Sequence, residues 1–331
     1  TATVPHPMRV GSNGLLERTT FTDSTATYDW FSRYPIAPYL ISVATAEYEV
    51  NEYVYHRPDS LVAEFGPLAL PILDYAYPAN AAAFFTGWGQ VLNVFPVLET
   101  WFGPYPFSAE KYGHAQMTRG GGMEHQTMSS MGGHSLDLVV HELAHQWFGD
   151  LLTTRTWAHA WLNEGFATYM EHIWRQHHLG QDEYHASLAV DLRAYLSEAS
   201  GRYQRPVVCQ DYQAPIDMFD RHLYEKGALV LHLLRRELGE EVFWAGLSDY
   251  VGAHGQSNVE TSDLKRAMES RSGRSLDRFF EHYAGQNQFK LHLAVTYVAV
   301  VEGRVVGFAT VAAVAIERAT VPSARLRKRL P

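Results

Sequence analysis

The chain has 331 residues, about twice the usual length of one domain, so two domains or one large catalytic domain with flanking pieces both fit. Hydrophobic residues at 46% against charged ones at 19%, with 8 Trp, 19 Tyr and 16 Phe, exclude a disordered chain, because that much apolar surface offsets the entropy of ordering it. The formal charge of −9 divides into −14 over residues 1–285 and +5 over residues 286–331, and so acidic a main body argues against a nucleic-acid partner held by its phosphates.

Thr1 opens without a targeting segment, and the chain is expected to lack its native N-terminus. Residues 1–60 read as β-rich: Asn13-Gly14 is a hairpin signal, and residues 39–44 form a short apolar run with strand character. Pro67, Pro71 and Pro78 punctuate the next stretch, and the Ala-rich periodicity of residues 79–95 predicts a helix ending near Pro96. After Pro104 and Pro106, residues 110–117 predict a strand that runs into Gly120-Gly121-Gly122, where missing side chains permit close backbone approach. From Ser135, a ready cap, the period turns helical. Leu136, Val139, Val140, Leu143 and Trp147 line one face, and Gly149 is the expected stop. Further helices are predicted at 163–178, with Gly180 as the stop, and at 223–238, 242–250, 263–270 and 276–283. The single cysteine, Cys209, cannot close an intrachain disulfide. Residues 291–315 alternate around Glu302-Gly303 and read as a Val-rich hairpin. Residues 305–316, the longest nearly apolar stretch in this reading, are too short for a transmembrane segment. Arg325, Arg327, Lys328 and Arg329 read as a solvated basic tail.

The 17 histidines prompt a search for a metal site. His141-Glu142-Leu143-Ala144-His145 is an HExxH motif inside the predicted helix, and i, i+4 spacing puts both imidazoles on one face, where they suit two positions of tetrahedral zinc. Alone, the pair is equally a helix with two surface histidines. Glu164, nineteen residues after His145 at the start of the next predicted helix, adds a carboxylate. His/His/Glu leaves a fourth position open, as in catalytic rather than structural zinc sites. Glu142 lies roughly a hundred degrees from His141 around the helix, the place of a general base that takes a proton from zinc-activated water and returns it to a departing amine. Glu171, seven residues beyond Glu164, either accepts a hydrogen bond from a ligand imidazole or is an ordinary exposed glutamate.

The segments HELAHQWFGD at 141–150 and WLNEGFATY at 161–169 closely resemble the gluzincin zinc aminopeptidases, the group of alanyl aminopeptidase, puromycin-sensitive aminopeptidase and leukotriene hydrolase. Gly121-Gly122-Met123-Glu124-His125 is similar to the family's GxMEN exopeptidase motif, and Tyr224-Glu225-Lys226-Gly227 to its YxKG motif. The four motifs stand in the family's order over residues 110–240, and looser similarity at 34–41 and 275–280 extends the match to roughly 30–290. The resemblance implies an α+β fold: a mainly α, thermolysin-like catalytic domain with a small mixed sheet at 49–286, the end of an N-terminal β-domain at 1–48, and the β-rich start of a following domain, with its basic tail, at 287–331.

It further implies one zinc ion on His141, His145 and Glu164, and peptide substrates with a free N-terminus, cut at their first peptide bond. Glu124 would bind the α-ammonium, while Gly121, Gly122 and Met123 would let an extended substrate backbone pair with the strand. Tyr224 would donate to the oxyanion, although the residue alone reads as a core aromatic. His125 stands where the motif has Asn, so an imidazole must order the strand or substrate backbone there. The resemblance also implies a second acidic or amide group at the amine site, from the part of the N-terminal β-domain that precedes Thr1. The acidic body suits substrates arriving with an ammonium. Two other readings use the same metal: epoxide hydrolysis, known in one branch of the family, and a silent zinc module that only grips peptides. Glu142 and Tyr224 argue against the silent module.

Overall fold

The structure, a computed structural model, describes residues 1–201, 204–285, 295–301 and 304–311. Thr- and Tyr-rich alternation makes the first segments extended. β1 (Ala2–Pro5), β2 (Arg9–Ser12), β3 (Leu15–Phe21), β4 (Thr25–Phe31) and β5 (Val43–Ala46) form two small antiparallel sheets, β1-β4-β3 and β2-β5. Asn13-Gly14 therefore closes no hairpin, because its flanking strands β2 and β3 belong to different sheets. The strand expected at 39–44 begins only at Val43, since Pro38 opens a 3₁₀ turn that runs through Leu40.

β6 (Glu49–His56) and α1 (Asp59–Phe65) precede β7 (Ala69–Ala76), then α2 (Ala81–Trp88) and α3 (Val91–Phe102). β8 (Tyr112–Gln116), β9 (Gly122–Met123) and β10 (Ser129–Met131) complete a five-stranded mixed sheet in the order β6-β7-β8-β10-β9. Its inner strands β7, β8 and β10 are parallel, and β6 and β9 are antiparallel edges. The helix expected to end near Pro96 is two helices, and Pro96 lies inside the second. Buried Val94, Phe95, Val97, Leu98 and Phe102 hold α3 to the core despite the missing amide. The run Ala81–Phe102 is also longer than the 305–316 stretch and has the length and composition of a membrane span, but here it is broken at Gly89-Gln90 and packed into the core.

α4 (Leu136–Ala144) stops before Gly149, with His145 as its C-cap and Trp147 fully buried beyond it. β11 (Leu152–Thr154) leads to α5 (Trp161–Leu179), the spine of the domain, buried continuously from Trp161 to Met170. α6 (Gln181–Gly201), α7 (Glu225–Leu238), α8 (Glu240–His254), β12 (Ser257–Val259), α9 (Thr261–Ser272) and α10 (Asp277–Tyr283) follow, with β12 pairing parallel to β11. α4, α6 and α7 all pack on α5. Where α5 crosses α7, a Cβ on Gly165 would come 2.9 Å from the Gly227 Cα, so only glycines allow the approach. α6 is absent from the predicted helices, although Tyr184, Leu188, Tyr195 and Ala199 bury a helical stripe. β13 (Val295–Val301) and β14 (Arg304–Val311) pair antiparallel as expected for the Val-rich segment; Glu302-Gly303 and the basic tail lie outside the described residues. The fold is α+β, mainly helical around a small mixed sheet.

Candidate active site

α4 and α5 bring three donors to one point. His141 Nε2 and His145 Nε2 each lie 3.2 Å from the same oxygen of Glu164, Oε2. Their other ring nitrogens are engaged: His141 Nδ1 bonds Glu171 Oε1 at 2.8 Å, and His145 Nδ1 bonds the Phe148 carbonyl at 2.9 Å. Those acceptors take the Nδ1–H of each ring, so it is Nε2 of both histidines that turns to Glu164 and would be free to hold a metal once deprotonated. Phe148 is itself locked by stacking on Phe166 of α5, with ring centroids 4.1 Å apart. Burial alone would lower both imidazoles, yet Glu164 and Glu171 hold His141 well above the ordinary range, and Glu164 and Glu124 hold His145 at about 9. Burial would likewise raise Glu164, but His145 and His141 keep it ionised, down at about 2. Convergent N, N and O donors in a field with surplus negative charge fit zinc.

Glu142 faces the same point from α4, with only 3% of its surface exposed. Burial pushes its carboxyl up to about 7 against the pull of His141 and His145, near the working range of a base at neutral pH. Its Oε1 leans on Gly122, where an added Cβ would stand 1.9 Å away. Glu124, also buried, follows β9, and its carboxylate, that of Glu142 and the His145 ring nitrogen offer atoms within 4.8 Å of one another. Burial raises Glu124. Among the described residues β9 pairs only with β10, which leaves the other edge of Gly122 and Met123 unpaired there, and Gly121 reaches it through a left-handed φ of 79°. His125 turns aside to bond Ser130 Oγ at 2.9 Å, and burial lowers it to about 4, so its imidazole is neutral. Tyr224, at the start of α7, stacks over His141 with centroids 6.1 Å apart. Burial, reinforced by Glu164, Glu124 and Glu142, pushes its phenol up, so it stays a donor.

Sequence reasoning missed the residues that hold the Glu124 loop. Asn13 Nδ2 donates to the Gln126 carbonyl at 2.5 Å and the Leu40 carbonyl at 3.0 Å, and Oδ1 accepts from the Ser42 amide at 2.6 Å. Thr127 sits at a left-handed φ of 62°, costly for a β-branched residue. It is held there from three sides: Gly14 N–H donates to its hydroxyl, its own N–H donates to Gln146 Oε1, and Lys111 Nζ donates to its carbonyl. Gln146, next to a metal ligand, was the only one of these with a signal in the motifs.

Residues 123–283 match the Peptidase family M1 domain. The chain is 36% identical over 162 residues to Aminopeptidase M1 of Arabidopsis thaliana, which covers 46% of this chain and 18% of that protein, and 38% identical over 150 residues to Aminopeptidase 2 of Candida albicans, covering 41% and 15%. It thus spans less than a fifth of these relatives. A solved M1 zinc metallopeptidase mutant from Deinococcus radiodurans, bound to a Tyr-Ser-Ala substrate, superposes with a TM-score of 0.73 at 26% identity, covering 86% of this chain and 63% of that one. Residues 123–283 thus match the peptidase family M1 domain, and in motif order and fold the chain is similar to the gluzincin zinc aminopeptidases.

Proposed function

We propose that the chain hydrolyses the first peptide bond of peptides with a free N-terminus, using a catalytic domain at residues 49–286 between β-rich pieces of neighbouring domains at 1–48 and 287–331. The observation that carries this is the spacing of Glu124: its carboxylate lies within 4.8 Å of Glu142 and His145. An extended residue spans about 3.3–3.6 Å, so an ammonium held by Glu124 leaves room for one residue before the reacting centre. That spacing makes the site count a single residue.

Zinc, when held by His141, His145 and Glu164, supplies Lewis acidity that polarises a carbonyl and acidifies water. Glu142 takes the proton of the attacking water and passes it to the leaving amine. Tyr224 donates its hydroxyl to the developing oxyanion. The open edge of β9 pairs with the substrate backbone, a contact that side chains on Gly121 or Gly122 would block. Glu171 fixes the His141 ring, and His125, tied to Ser130, orders the turn after Glu124.

The test compares an alanyl arylamide with its N-acetylated twin, before and after chelation. The free amine is expected to be cleaved at least about a hundredfold faster, since removing its charge leaves a buried carboxylate unpaired. Chelation should abolish turnover. Equal rates on the twins would sink the exopeptidase assignment.

A further inference from the structure

We infer, resting on the aminopeptidase reading above, that a second cavity beside the catalytic centre receives the side chain of the substrate's second residue and selects arginine or lysine there. Two cavities of about 440 Å³ each meet at His141, Glu171 and Tyr224. One contains Glu124, the glycine edge, Glu142 and His145, and so takes the substrate's amino end. The other contains none of these and is walled by α5, α6 and the approach to α7. A substrate anchored by its ammonium at Glu124 and passing the metal ligands reaches this second cavity on the leaving-group side.

The wall is dominated by carboxylates: Glu171 from α5, Asp191 and Glu198 from α6, Asp220, and Glu225 from α7. The permanent cations against it are Arg221, paired with Glu225, and Arg205, which lies behind Asp220 and bonds it at 2.6 Å; His222 Nδ1 stands 3.2 Å from Glu198, which also accepts from the Arg221 amide at 3.0 Å. Two permanent cations against five carboxylates leave acid in excess, and the histidines beside them, His141 on Glu171, His172 on Asp191 and His222 between Glu198 and Asp220, offset it only when protonated. Glu198 is the most open of the five at 34% side-chain exposure. Thr168, one turn after Glu164 and only 7% exposed, opens onto the same cavity with a hydroxyl that no described hydrogen bond engages. An apolar side chain entering here would strip water from carboxylates without replacing it, and an acidic one would be repelled. A guanidinium or ammonium supplies both charge and donors to carboxylate oxygens that stay open to the cavity, those of Glu198 above all.

The test measures kcat/KM for Ala-Arg-Ala, Ala-Leu-Ala and Ala-Glu-Ala beside the alanyl arylamide. Ala-Arg-Ala is expected to exceed Ala-Leu-Ala by about tenfold or more, the scale of one added charge-assisted hydrogen bond, with Ala-Glu-Ala lowest. Added salt should shrink the ratio. Glu198→Gln and Asp191→Asn should each lower the Arg/Leu ratio several-fold, and a ratio taken within one protein is independent of how much of it is folded. Arylamide cleavage with an Arg/Leu ratio near one in the parent chain overturns the inference and leaves the aminopeptidase reading standing. A high ratio unmoved in both variants removes the selectivity from this cavity. No arylamide cleavage sinks the aminopeptidase reading, and the inference with it.

Discussion

His141 and His145 stand one turn apart on α4 and meet Glu164 on the adjacent α5, whereas Glu124 hangs from a short loop between β9 and β10 at the edge of the sheet. The metal donors are set by helix periodicity and by one helix contact. Glu124, the carboxylate proposed for the amine site, is set by residues far away in the chain, since Asn13, Gly14, Lys111 and Gln146 all bond the loop that follows it. A helix satisfies its own backbone, so its side chains stay placed while its packing lasts. A loop with a strained Thr127 has to be held from outside.

Three substitutions probe that difference. Glu142→Gln on the helix should lower kcat by about 10²- to 10⁴-fold with zinc content unchanged, because the base is lost but no metal ligand is. Loss of zinc with the activity would mean that Glu142 helps to hold the metal. Gly122→Ala acts where the two regions touch. The new methyl meets the flexible end of Glu142 rather than backbone, so the base swings away while the fold stays intact. We expect kcat to fall about a hundredfold with the unfolding midpoint nearly unchanged; a large drop in stability would show that the backbone of β9 moves instead. Asn13→Ala removes three hydrogen bonds, one to the Gln126 carbonyl in the Glu124 loop and two that fix Asn13 to Leu40 and Ser42 of the N-terminal layer. It should cost about 1–3 kcal/mol in urea unfolding and raise KM more than it lowers kcat, with zinc affinity untouched. An unchanged KM would mean that the loop holds its shape without the β-layer.

The site was legible wherever its parts are close in sequence. HExxH and the downstream glutamate are spacing rules, and a spacing rule on a helix is already a geometry. Asn13-Gly14 was misread for the same reason: the dipeptide signals a turn, but only tertiary pairing decides that β2 and β3 enter different sheets and that Asn13 points inward. Pro96 inside α3 is the converse case, a local breaker overruled by five buried side chains. α6 was overlooked because its apolar stripe is thin, and with it went Asp191 and Glu198, the carboxylates of the second cavity.

By itself the sequence singled out the candidate metal donors, the candidate base Glu142, the helical character of residues 100–285 and the family resemblance, because each depends on helix periodicity or on motif order. Only the tertiary structure decided which ring nitrogen each histidine turns to Glu164, that Gly122 must be bare to seat Glu142, that distant strands carry the loop of Glu124, and that acidic residues from α5, α6, α7 and the segment before α7 face one cavity. Those relations join residues far apart in the chain, and their geometry comes from packing, which no local period encodes.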